Sequence, residues 1–90
     1  MPVYGYKRAD ADQEPELLDL REVTFSFPAG DLRRIAAFLL HYADQIDSGL
    51  WRSDHAHLDA FDTAWSTAHP GTDLVVLNPD PEPPPRVMER

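Results

Sequence analysis

One stretch, residues 30–48, constrains the fold more than any other. Leu32, Ile35, Ala36, Leu39, Ala43 and Ile46 recur at spacings of three, four and seven. Such spacing is one face of a helix with 3.6 residues per turn. A helix of this length spans roughly 27 Å, nearly the width of a domain made from 90 residues. Phe38, Leu40 and Tyr42 fall outside that stripe, so between residues 35 and 42 the helix is apolar over more than half its circumference. A helix with so wide an arc is either covered on two sides or lends one side to a partner. Arg33, Arg34, His41, Asp44 and Gln45 mark the part left for solvent. Pro28 suits the chain just before the first turn. Asp31 puts negative charge near the positive end of the helix dipole, and Gly49 stands where a left-handed terminating residue is wanted.

The flanking segments read as the cover for this helix. Residues 3–7, Val-Tyr-Gly-Tyr-Lys, are a short β-prone run with Tyr4 and Tyr6 on one face. Residues 8–15 are polar and aperiodic and read as a loop. Residues 16–27 are the best strand by pattern, because Val23, Phe25 and Phe27 alternate with Thr24 and Ser26. Leu18 and Leu20 lie in the opposite phase, which requires a bulge near residues 21–22 or cover on both faces. Residues 50–54 form a connection bearing Trp51. Residues 57–67 carry a weaker helical pattern through Leu58, Phe61 and Trp65, with Ser53 or Asp54 as its cap. Leu74 to Leu77 form a continuous apolar run, which predicts a strand buried on both faces or central in its sheet. The predicted order is β-β-α-α-β: an α+β, two-layer fold. It has a small antiparallel or mixed sheet of about three strands, the long helix on one face and a second short helix as the connection. Residues 1–79 make a single domain. Residues 80–90, with Pro81, Pro83, Pro84 and Pro85, predict a Pro-rich disordered tail.

Composition narrows the function classes. Sixteen acidic residues stand against eight basic ones, a formal net charge of −8, which argues against nucleic acid as a direct ligand because phosphate contacts need Lys and Arg. The same charge suits a basic protein partner, and it suits a merely soluble protein equally well. There are no cysteines, hence no disulfide, thiolate metal site or Cys nucleophile, which fits a reducing cytoplasm. Residues 1–8 lack the apolar run of a signal peptide, and no segment approaches the roughly 20 apolar residues of a membrane span.

The chemistry-bearing constellation is Ser53-Asp54-His55-Ala56-His57-Leu58-Asp59. Imidazole and carboxylate groups are the usual ligands of zinc and related ions. On an extended strand, His-x-His puts both rings on one face, where they can chelate. On a helix, positions i and i+2 lie about 200° apart. His55 is placed at the entry to the second helix, which disfavours chelation by His55 and His57. Further ligands would come from His41, Asp62 or His69. The structural alternative is that His57 donates to a carboxylate or a backbone carbonyl and braces the loop. Ser48, Ser53 and Ser66 lie in no Gly-x-Ser-x-Gly elbow, the four glycines form no phosphate-cradling loop, and no catalytic residue or cofactor is predicted. Trp65 on its helical stripe reads as core. Trp51 in its loop reads as core or as an interface anchor.

Short segments also resemble a known family. Leu20-Arg21-Glu22-Val23-Thr24-Phe25, residues 32–40, His55-Ala56-His57-Leu58 and Asp73-Leu74-Val75-Val76 resemble, in order, the opening strand, the helix, the His-x-His-Leu element and the closing strand of small bacterial α+β proteins regarded as immunity proteins of polymorphic toxin systems. The resemblance spans roughly residues 17–79. It implies a non-enzymatic protein that binds and blocks a cognate toxin. The sequence therefore points first to a cytoplasmic protein-binding module, with Trp51, His55 and His57 as contact residues. Two alternatives stand beside it: a metal-binding protein using His55 and His57, and a homodimeric structural module joined through the helix or a sheet edge.

Overall fold

The computed structural model describes residues 3–8 and 14–79. The described residues form an α+β fold ordered β1 (Val3–Tyr6), β2 (Leu17–Leu20), α1 (Ala29–Ser48), β3 (His55–His57), α2 (Leu58–Phe61), α3 (Thr63–Ala68) and β4 (Val75–Leu77). The strands pair as two antiparallel two-stranded sheets. β1 meets β2 with Val3 opposite Leu20 and Tyr6 opposite Leu17, and β3 meets β4 with His55 opposite Leu77 and His57 opposite Val75. The α+β class, the long helix and the antiparallel pairing match the sequence expectation. The single three-stranded sheet does not form, because His55–His57 becomes a fourth strand and takes β4 as its own partner. The Pro-rich segment 80–90 and residues 9–13 lie outside the described residues.

α1 begins and ends where its sequence dictates. Pro28 precedes it in an extended conformation (φ −60°, ψ 161°) and no side chain caps it. Asp31 in the first turn supplies the dipole complement. At the far end Gly49 is left-handed (φ 72°). Its N–H donates to the Ile46 carbonyl, and the Leu50 N–H donates to Gln45, each at 3.2 Å. This pair of bonds is a Schellman termination, which needs a residue without Cβ strain at its left-handed position.

The buried face of α1 differs from the predicted one. Ile35 and Phe38 are buried and Tyr42 packs against them. Leu32, Leu39 and Ile46 are 42%, 44% and 37% exposed, and Ala36 and Ala43 are exposed with them. The helix has two apolar arcs sharing Ile35, and the arc bearing the aromatic rings faces inward. Its rings find partners: Phe38 lies 5.3 Å from Tyr42 and 5.5 Å from Phe61 between centroids. Aromatic rings bury the most area per side chain and gain further from edge contacts, so they outcompete the aliphatic arc for the core.

That core is Ile35, Phe38, Leu58 and Trp65, with Phe27, Leu74 and Val76 packed against it. The Trp65 Nε1–H donates to the Thr72 carbonyl at 2.8 Å, and the ring packs between Phe27 (5.4 Å) and His69 (4.2 Å). Two polar links tie α1 to the segment beneath it, Arg34 Nε to Asp62 at 3.0 Å and His69 Nε2 to Asp31 at 3.0 Å.

Three segments depart from expectation. In residues 16–27 only Leu17–Leu20 pairs, while Val23 and Phe25 stay exposed. Alternation states which side chains face one way, and it does not supply a neighbouring backbone. Of the three alternating residues only Phe27 reaches the core. The 57–67 helix breaks at Asp62 (φ −128°, ψ 93°), whose carbonyl accepts from the Trp65 N–H to begin α3. β4 is neither central nor buried on both faces: only Val76 turns inward, and Val75 and Leu77 are 49% and 63% exposed. A two-stranded sheet has one face on the core and one open to solvent.

Candidate functional site

The open face of the β3–β4 sheet carries the histidines. Residues directly opposite in an antiparallel pair share a face, so His55, His57, Val75 and Leu77 line one side while Ala56 and Val76 turn to the core. The expected position of His55 at a helix entry is therefore corrected. His57 itself is the residue before α2, in extended conformation (φ −109°, ψ 137°). The two imidazoles lie side by side with centroids 5.1 Å apart. A three-residue strand forms here because β4 offers a ladder partner, which the local sequence does not reveal.

Each ring is oriented by a carboxylate. The His55 Nδ1–H donates to Asp54 at 2.6 Å, and the His57 Nδ1–H donates to Asp73 at 2.8 Å. No hydrogen bond among the described residues engages Nε2 of either ring. The expected cap, Ser53 or Asp54, is not used by α2, which has no side-chain cap at its leading residue. Asp73 does equivalent work from across the sheet. Its Oδ1 accepts the backbone N–H groups of Asp59 at 3.0 Å and Leu74 at 2.9 Å, leaving Oδ2 for His57. The bracing role foreseen for His57 is thus present, with Asp73 as the acceptor.

Trp51 joins this face through the 50–54 connection. Asn78, a buried polar side chain, donates from Nδ2 to the carbonyls of Trp51 (3.0 Å) and Ser53 (2.9 Å), and its backbone N–H donates to the Asp54 carbonyl at 2.8 Å. These three bonds hold the connection against the end of β4. The Trp51 ring then packs on Tyr42 at 4.6 Å. Tyr42, Trp51, Ser53, His55, His57 and Phe61 line one open concavity of about 290 Å³. All three residues singled out in the sequence as contact residues, Trp51, His55 and His57, meet there. Sequence reasoning missed Tyr42 and Phe61 as walls and Asn78 and Asp73 as supports. A lone Asn before a Pro gives no signal of a long-range tie.

The additional metal ligands considered in the sequence lie elsewhere. His41 packs on Tyr42 and Phe61, Asp62 pairs with Arg34, and His69 pairs with Asp31. The group the fold does assemble is His57, Asp59 and Asp73, whose ligand atoms all lie within 4.8 Å of one another.

Fold and site together define a small α+β protein with an aromatic and histidine-lined concavity on an open two-stranded sheet. The chain matches no family model, no curated protein and no solved structure. No helix among the described residues is long and apolar enough to cross a membrane.

Proposed function

We propose that the chain is a non-enzymatic protein-binding module whose contact surface centres on the Trp51, His55 and His57 concavity. The observation that carries this reading is the convergence of Trp51, Tyr42 and Phe61 with two carboxylate-oriented histidines in one open hollow. Interface anchors are most often aromatic side chains set in such pockets, and imidazoles supply directional polar contacts beside them. The uncovered α1 stripe of Leu32, Leu39 and Ile46 adds apolar contact area. The net charge of −8 selects a basic partner surface through complementarity and faster encounter.

The finer reading is an immunity protein that occupies a cognate toxin. The resemblance of residues 17–79 supports it, as do the small size and acidic character. The test is co-expression with the protein encoded beside it, followed by size-exclusion chromatography and titration calorimetry on the purified pair. A one-to-one complex is expected, weakened at least tenfold by Trp51→Ala. Failure to co-elute, or a complex indifferent to Trp51→Ala and His55→Ala together, overturns the reading. A species of twice the single-chain mass in the absence of any partner also overturns it, in favour of self-association through α1.

A further inference from the structure

We infer that His57, Asp59 and Asp73 form a binding site for a divalent first-row transition ion, with one imidazole nitrogen and two carboxylate oxygens as ligands. The inference is independent of any protein partner. Three separate elements bring the residues together: β3 supplies His57, the first turn of α2 supplies Asp59, and the residue two before β4 supplies Asp73. Their ligand atoms lie within 4.8 Å of one another, close enough for side-chain rotation to bring all three onto one ion.

The tightest edge of the triangle already has metal-site dimensions. His57 Nδ1 and Asp73 Oδ2 are 2.8 Å apart. Adjacent ligands of an octahedral ion at about 2.1 Å stand roughly 3 Å from each other. An ion displacing the shared proton therefore needs little movement of either group. Asp73 is also fixed in place, because its Oδ1 holds the N–H groups of Asp59 and Leu74, and the first of those bonds sets the position of Asp59 itself. The Asp59 carboxylate, by contrast, makes no hydrogen bond or ion pair among the described residues, so it is available to an ion. His55, on the same sheet face with its centroid 5.1 Å from His57, stands beside the site and can receive a metal-bound water through its unengaged Nε2.

The ligand chemistry selects the ion. A mixed nitrogen and oxygen set suits Zn²⁺, Co²⁺, Mn²⁺ or Fe²⁺, and it disfavours Ca²⁺, which takes six to eight oxygens. Three protein ligands leave at least one coordination position open to water or to a partner's side chain.

The test uses the untagged full chain, freed of metal by a chelator and titrated calorimetrically with Zn²⁺ and, separately, with Ca²⁺. One Zn²⁺ per chain is expected, with Ca²⁺ at least tenfold weaker. Asp59→Asn is the diagnostic variant, since its carboxylate has no other bond to lose among the described residues. It should weaken Zn²⁺ at least tenfold while leaving the circular dichroism and thermal midpoint of the metal-free protein unchanged. His57→Ala should abolish the binding. Absence of stoichiometric Zn²⁺ in the native chain overturns the inference. So does a native affinity retained in Asp59→Asn, and if His55→Ala then lowers it, the ion sits on the two histidines instead.

Discussion

Two adjacent residues on one helix give the sharpest test of the packing. Phe38 is fully buried and Leu39 is 44% exposed, although Leu39 lies on the apolar stripe that the spacing defines and Phe38 lies outside that stripe. Phe38→Ala removes a buried ring and its contacts with Tyr42 and Phe61. Such a truncation costs about 3–5 kcal/mol from lost transfer energy and the cavity left behind, and the paired aromatic geometry puts it toward the upper part of that range. A chain of 90 residues has a total stability of roughly 5–13 kcal/mol, so the loss is a large share of the whole. With a urea slope of roughly 1–1.5 kcal/mol/M, the midpoint should fall by about 2–5 M. Leu39→Ala loses at most about half the ~2 kcal/mol of a fully buried Leu and regains a few tenths through the helix propensity of Ala. Its midpoint should fall by less than about 1 M. Equilibrium urea unfolding of both variants, followed by far-ultraviolet circular dichroism, makes the comparison. Equal losses, or a larger loss for Leu39→Ala, would refute the assignment of the aromatic arc to the core.

Asn78→Ala deletes two side-chain hydrogen bonds to the Trp51 and Ser53 carbonyls. It should cost about 2 kcal/mol and shift Trp51 fluorescence toward that of a solvated indole, whereas a spectrum and stability equal to the native chain would show that the connection is held some other way. Gly49→Ala forces a Cβ into the left-handed termination of α1 (φ 72°). Nothing lies within 4 Å of that Cβ, so the cost is purely conformational, about 1 kcal/mol, and a thermal midpoint unchanged within error would count against the Schellman geometry.

Much of the backbone was legible in the residues alone. The 3.6-residue recurrence, Pro28 and Gly49 determine α1 nearly to the residue, because helix periodicity and termination are local physics. β1 and β4 appear where β-prone runs end at loop signals. Distribution between faces was not legible, because α1 carries two apolar arcs and the sequence does not say which one the rest of the chain will meet. Phe61 and Trp51 decide it by approaching from far along the chain. The same holds at the site. The residues alone singled out Trp51, His55 and His57 as candidates, with acidic groups among them, and the fold brings these three to one concavity. That His55–His57 is a strand depends on long-range pairing, since a three-residue ladder exists only when another strand lies alongside. The same holds for the choice of Asp73 as the carboxylate that orients His57, and for Asn78, which sets the Trp51 connection in place. Those contacts join residues 16 to 27 positions apart, and no local propensity encodes a bond of that range.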